Sequence, residues 1–486
     1  MTCSKIRVRF APSPTGFLHV GGLRTALYNW AFARANGGTF LLRIEDTDRN
    51  RLVEGAVENL LESLRWAGIE PDEGPHKPGE VGPYVQSERL ETYRKHVDQL
   101  LDKDLAYPCF ATPEELEEMR EKQKAAGQNP GYDGRYRDYD KAEAKRRIEA
   151  GEPHVYRLKV PQDEDVVFED IVRGHVSINT QTVDDQVLMK KDGYPTYHLA
   201  AVVDDHLMGI THVIRGEEWL SSTPKHILLN RAFGWEPPRY AHLPLIVNEA
   251  KKKLSKRDGD VSVESYRENG FSAEGLVNFL ALLGWSAGDD KEFYPDLASL
   301  AEAFTLDRIS KSASVFDVAK LKHINFLHLR EMPAATLSQR LDPFFEKAGI
   351  TKPDAEKMEA IIEVMRERAT TYPDYVEGCE YFYRAPSDYD AKAVKKRWKD
   401  DSGELLQSYQ QRLKECEWNI ESLEAQLRAV TEAADCGAGR LIHPARLAVS
   451  GVGGGPSLFD MMLLIGRDEC VERIERALKV LNGQPA

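Results

Sequence analysis

Cysteine is scarce in this chain and never paired. Six cysteines stand among 486 residues, at Cys3, Cys109, Cys379, Cys416, Cys436 and Cys470, and no two form a CxxC. That scatter excludes a zinc ribbon and a disulfide framework, and it suits a reducing, cytoplasmic setting. Long apolar runs are missing as well: nothing approaches the roughly 18 consecutive apolar residues of a membrane span, so no membrane partner is expected. The start of the chain, MTCSKIRVRF, has no signal-peptide apolar stretch. Positive charge is in deficit. A formal net charge of −14 argues against a uniformly basic nucleic-acid binder. The deficit is uneven, however: KKKLSKR (251–257) and KAVKKRWK (392–399) are basic clusters able to face phosphates, although such runs are more often solvated faces.

What is present points to an α/β chain. IRVRFA (6–11) alternates Ile6, Val8 and Phe10 with Arg7 and Arg9, the period of a strand. GLRTALYNWAFARANGG follows, with Leu23, Ala26, Leu27, Trp30 and Ala31 at helical spacing and Gly37–Gly38 as a stop. TFLLRIEDTD (39–48) then reads as a strand ending in acids, which completes a βαβ unit with parallel strands. THVIRGEEW (211–219), STPKHILLNRAFGW (222–235) and YAHLPLIV (240–247) repeat strand, helix and strand. Between them, residues 106–198 mix charged helices with the strand-like HVYRLKV and VVFEDIVRG. We expect a doubly wound, Rossmann-like parallel sheet in two halves (1–105 and 199–260), with an α+β domain inserted at 106–198. Beyond about 327 strand signals fade, and an all-α region runs to 486. There Ile420, Leu423, Leu427 and Val430 step by three and four, as a buried helical stripe does.

The turn of the first unit, APSPTGFLHVGG (11–22), is distinctive. Pro12 and Pro14 stiffen the exit from the strand, and Gly21 and Gly22 begin the helix. Bare N–H groups at a helix start favour a phosphate, and His19 just before them can donate to one. The spacing is neither GxGxxG nor GxxxxGK[ST], which disfavours the two common nucleotide-binding turns. In the second half, KKKLSKRDGD (251–260) offers Lys256, flanked by Ser255 and Arg257, whose ammonium can reach a charged leaving group.

Taken together, HVGG (19–22) and KLSKR (253–257) resemble the paired signatures of class I aminoacyl-tRNA synthetases. The ordered blocks RFAPSPTGFLHVGGLRTALYNW, LLRIEDTD, QSE (86–88), DGYPTYHLA, DDHLMGITHVIRGEEWLSSTP and KLSKR narrow the resemblance to the bacterial glutamyl-tRNA synthetases. It spans essentially the whole chain. It implies activation of L-glutamate by ATP with release of pyrophosphate, then transfer to the terminal adenosine of the glutamate tRNA. It further implies that His19, Gly21, Gly22, Lys253, Ser255 and Lys256 hold ATP, with His19 and Lys256 acting in catalysis. Mg²⁺ would accompany ATP, held mainly by phosphates and water. Glu45, Asp46 and Asp48 at the strand end suggest a metal cage only weakly.

A glutamate site needs two cations, ideally guanidinium forks, and one acid. The resemblance implies Arg9, with Tyr197, for the side-chain carboxylate, Arg215 for the other carboxylate, Glu45 for the ammonium, and Ala11 and Ser13 as lining. Two departures are expected to matter. Ala201 stands where some relatives have an Asn that helps to bind glutamate. Cys109 is alone where some relatives build a zinc site, and GYDGRYRD (131–138) adds neither Cys nor His, so no structural zinc is expected. The resemblance also implies that 106–198 binds the acceptor end, that 261–326 contacts the stem, and that 327–486 reads the anticodon. Arg368 would select its last base and make the enzyme strict for the glutamate tRNA. A monomer is expected. The alternatives are a permissive form that also charges the glutamine tRNA and a catalytically inactive tRNA-binding protein.

Overall fold

The computed structural model describes residues 5–254 and 261–482. The chain divides into two compact units, Met1–Tyr266 with Leu276–Val318, and Arg267–Gly275 with Ala319–Ala486.

In the first unit, β1 (Arg7–Phe10) and β2 (Thr39–Leu42) pair in parallel, Arg7 opposite Thr39 and Phe10 opposite Leu42. The helix Val20–Ala35 crosses between them. It buries the anticipated Leu23, Ala26, Leu27, Trp30 and Ala31, and also Arg24, Tyr28 and Asn29. The wider burial reflects cover on both sides: the Tyr28 hydroxyl donates to the Ala281 and Leu283 carbonyls at 2.9 and 3.0 Å. Gly37, at φ +59°, lets the chain turn out of the helix.

The inserted region holds β3 (Ala106–Cys109), β4 (Val155–Leu158), β5 (Asp165–Asp170), β6 (Gly174–Asn179) and β7 (Val187–Met189). Strands β3, β4 and β7 form a small antiparallel sheet. The β5–β6 hairpin does not join it. Instead β5 pairs in parallel with β9 (Arg239–Leu243), Asp170 opposite Tyr240, and β9 pairs in parallel with β8 (His212–Gly216). The second-half sheet is therefore mixed, in the order β6-β5-β9-β8. The placement follows from Asp170, whose Oδ1 accepts from the backbone N–H groups of Val172, Arg173 and His242 at 3.0, 2.8 and 3.3 Å. The two halves meet where the Thr211 N–H donates to the Arg7 carbonyl at 2.9 Å and the Arg7 N–H to Thr211 Oγ1 at 3.0 Å. One buried cluster joins Leu41 of β2, Leu158 and Leu188 of the inserted strands, and Leu199, Val213 and Leu229 of the second half. A short parallel pair, β10 (Ile246–Val247) and β11 (Ser314–Val315), completes the unit.

The second unit is helical. Its core gathers Met358, Ile361, Leu406, Tyr409, Leu423, Leu427, Met461 and Ile474. The stripe on Ile420–Ala433 buries Leu423, Leu427 and Val430, whereas Ile420 is exposed at the first turn. Asn419 caps that helix by accepting from the Ser422 N–H at 2.8 Å. Among the described residues, no helix is long and apolar enough to cross a membrane.

Candidate functional site

At the carboxyl ends of β1 and β8 the first unit opens a cleft of about 1630 Å³. Arg9, Ala11, Ser13 and Glu45 line it from the first half, Tyr197 from the end of the inserted stretch, and Arg215 and Lys253 from the second half. His19, Gly21 and Gly22 complete the wall. Ser255 and Lys256 lie outside the described residues; Leu254 and Val261, on either side of that stretch, both line the cleft.

His19 is the N-cap of Val20–Ala35. Its Nδ1 accepts from the N–H groups of Gly21 at 3.1 Å and Gly22 at 3.4 Å. Those two amides are thus not bare, as the sequence suggested; the imidazole covers them. Accepting at Nδ1 fixes the ring proton on Nε2, the donor form. A Cβ at 21 would stand 2.9 Å from His19 Cε1 and one at 22 would stand 2.8 Å from Leu18 Cδ1, so a side chain at either position would displace that neighbour.

Arg9 is 4 % exposed, which is possible only because Asp205 meets it through two bonds, Nε–Oδ1 at 3.0 Å and Nη2–Oδ2 at 3.2 Å. Arg43, fully buried, donates to Asp205 at 2.8 Å and to Glu45 at 2.9 Å. Behind it, Asp204 accepts from Arg89, Gln86 and Tyr93 at 2.7, 2.9 and 2.8 Å. Burial alone would raise the Asp205 carboxyl, but Arg9 and Arg43 outweigh it and hold it below the usual carboxylate range. At Glu45 burial wins over Arg43 and Arg9, and the carboxyl is pushed up. Sequence reasoning missed Arg43, Asp204 and Asp205. The signal was there in AAVVDDHLM, two adjacent acids within an apolar helical stretch.

Arg215 is tied on every nitrogen. Nε donates to His242 Nε2 at 3.1 Å; Nη1 donates to the Tyr197 hydroxyl at 2.9 Å and lies 3.4 Å from His226 Nδ1. Nη2 donates to Thr223 Oγ1 at 2.9 Å and to the Trp219 carbonyl at 3.3 Å. Burial, then the Arg215 charge, drives the His226 pKa well below the ordinary imidazole value. Burial raises the Tyr197 phenol, with Arg215 opposing.

The acids after β2 do not converge. Glu45 is taken by Arg43, Asp46 accepts from the Ser87 N–H at 2.8 Å, and Asp48 pairs with Arg51 at 2.6 Å. Ala201 is fully buried in the helix Tyr197–Leu207, away from the cleft lining. Cys109 donates to the Tyr132 hydroxyl at 3.2 Å. In the second unit Arg368 is exposed just beyond the helix Ala355–Met365. Its neighbour Arg366, not Arg368, makes the ion pair with Glu363, at 2.5 Å.

Comparison with known proteins shows the family. Residues 5–323 match the family described as tRNA synthetases class I (E and Q), catalytic domain, and residues 336–478 match an anticodon binding domain. A glutamate–tRNA ligase of Chloroherpeton thalassium is 50 % identical, with all of both chains covered, and one of Chlorobium chlorochromatii is 46 % identical over 99 % of each. Among solved structures, a glutamate tRNA ligase of Elizabethkingia meningosepticum in complex with its amino acid superposes with a TM-score of 0.91. It is 40 % identical and covers 98 % of this chain and 100 % of its own.

Proposed function

The chain belongs to the class I tRNA synthetases of the glutamate and glutamine group and is a ligase joining glutamate to tRNA, and from that premise we propose how its own residues carry the reaction. Class I enzymes use ATP to activate the amino acid. The protein's part is to align the carboxylate with the α-phosphorus and to stabilise charge on the phosphates.

Arg9 receives the side-chain carboxylate of glutamate. Its described bonds use Nε and Nη2 alone, so Nη1 is the end that faces a ligand in the cleft. Arg215 serves the other carboxylate, and Tyr197 stands between them. Its hydroxyl accepts from Arg215 and retains its own proton to donate. Glu45 offers its remaining oxygen to the ammonium, while Ala11 and Ser13 shape the floor. The single observation that carries this reading is that the buried guanidiniums of Arg9 and Arg215, from opposite halves of the chain, line one cleft with the buried acid Glu45.

ATP binds along His19, Gly21 and Gly22, with the Nε2–H of His19 directed to a phosphoryl oxygen. Lys253, Ser255 and Lys256 hold the phosphates, and Lys256 neutralises the departing pyrophosphate. Mg²⁺ arrives with ATP and is held by phosphates and water, since Asp46 and Asp48 are engaged elsewhere. The inserted region takes the acceptor end of the glutamate tRNA, residues 261–326 its stem and the helical region its anticodon, with Arg368 at the last base. The enzyme acts as a monomer in the cytoplasm. Five described cysteines are unpaired, in keeping with that compartment.

The test is aminoacylation with each amino acid in turn, for the wild type and for Lys256→Ala, with pyrophosphate exchange measured in the presence of tRNA. Only glutamate should be charged. Lys256→Ala should lower the activation rate on the order of a hundredfold and leave the glutamate KM unchanged. Undiminished activity in that variant would remove Lys256 from the mechanism.

A further inference from the structure

Three strands bring Asp170, His242 and Arg215 into one buried row. Arg215 on β8 stands directly opposite His242 on β9, and Asp170 ends β5 beside it. His242 is fully buried, and Asp170 and Arg215 are 2 % and 5 % exposed. Asp170 Oδ2 lies 2.6 Å from His242 Nδ1. Its other oxygen is saturated by three backbone N–H groups, so the carboxylate cannot turn. A carboxylate can only accept, so the ring proton must reside on Nδ1. Nε2 then presents a lone pair, which receives the Arg215 Nε–H at 3.1 Å with the Thr223 hydroxyl 3.2 Å away on the same nitrogen.

We propose that His242, fixed in this tautomer by Asp170, is a positioning residue that aims the Arg215 guanidinium at the substrate carboxylate. The inference rests on the assignment of Arg215 to a glutamate carboxylate. Five donors on a planar fork can be satisfied in many orientations, but a bond at Nε fixes the plane, and with it the Nη1 contact to the Tyr197 hydroxyl and the Nη2 contacts to Thr223 and the Trp219 carbonyl at the cleft wall. A protonated imidazole would present N–H to N–H and release the fork. Burial first, and then the Arg215 charge, lowers the His242 pKa against the opposing pull of Asp170, which keeps the ring neutral at neutral pH.

Asp170→Asn is an isosteric test. Its amide oxygen must stay on the three backbone N–H groups, so its NH₂ faces His242 Nδ1. The ring proton is driven to Nε2, where it collides with the Arg215 Nε–H. The expected result is a glutamate KM raised about tenfold or more, with the ATP KM within about twofold of wild type. An unchanged glutamate KM, or an ATP KM rising in step with it, overturns the proposal.

Arg215→Ala is measured beside it. If Arg215→Ala raises the glutamate KM and Asp170→Asn does not, the positioning role alone fails; if neither does, the assignment of Arg215 fails. Should Asp170→Asn not fold, His242→Gln and His242→Asn take its place. Gln carries an acceptor to the Nε2 position and should hold the glutamate KM within about threefold, whereas Asn falls short and should raise it about tenfold. Equal values for the two overturn the proposal.

Discussion

Arg9 and Asp205, 196 residues apart, meet fork to fork through two bonds of 3.0 and 3.2 Å beneath the cleft floor. The pair lets a charged guanidinium sit in a nearly dry position while it still lines the cleft. Removing the acid leaves Arg9 and Arg43 buried against each other with too little negative charge. Asp205→Ala should cost about 3 kcal/mol or more of stability, read by urea unfolding. In the folded fraction the glutamate KM should rise at least about tenfold, because Arg9 is no longer held in place. A variant of wild-type stability would show that the pair is dispensable.

Gly21 separates a fold effect from a binding effect. Alanine is the better helix former by at most about 1 kcal/mol, and loss of the His19 cap costs about as much, so Gly21→Ala should leave the melting temperature nearly unchanged. Its methyl group, 2.9 Å from His19 Cε1, must push the imidazole off the helix end. The ATP KM should rise about tenfold while the glutamate KM holds. Steady-state aminoacylation at varied ATP checks this.

Buried histidines set an acid limit, His212 and His328 among them. Burial first, with Arg239 adding to it, lowers His212 to about 4. Burial lowers His328 to about 4 despite the nearby Glu274. In the unfolded chain each takes up a proton near the ordinary pKa of about 6.5, whereas the folded protein refuses it until about 4. Stability is therefore full above about pH 6.5 and falls as the pH drops towards 4, by up to about 1.4 kcal/mol per pH unit for each group. Urea midpoints at pH 7.5, 6.5 and 5.5 should fall in that order, and His212→Asn should flatten the slope.

Arg368 bears on the choice of tRNA. It is exposed, and it makes none of the described ion pairs, unlike Arg366 beside it. Arg368→Gln should allow charging of purified glutamine tRNA that the wild type refuses. Absence of such charging would count against an anticodon role.

The local placement of several cleft residues was readable from residue order, while their assignment to one pocket came from the resemblance. His19, Gly21 and Gly22 could be placed at a helix start because Pro12, Pro14 and the apolar stripe from Leu23 to Ala31 bracket that start. Arg9 and Arg215 could be placed at strand ends for similar reasons. What stayed hidden depends on contacts across long separations. Nothing local to VVFEDIVRG says that Asp170 will pair with His242, 72 residues on, and draw the β5–β6 hairpin onto β9. Likewise the adjacent acids Asp204 and Asp205 do not reveal their partners, because Arg9, Arg43 and Arg89 arrive from three other segments. The capping of Gly21 and Gly22 by His19 turns on one side-chain rotation that no spacing encodes.

Because β5 belongs to the same sheet as β8 and β9, the stretch between the two halves is not a removable appendage. A shortened chain lacking residues 106–198 would lose the Asp170 clamp and Tyr197 in one cut, even if both remaining halves came together. Evolutionary trimming of this region would have to stop short of that hairpin, or find another anchor for the amino-acid pocket.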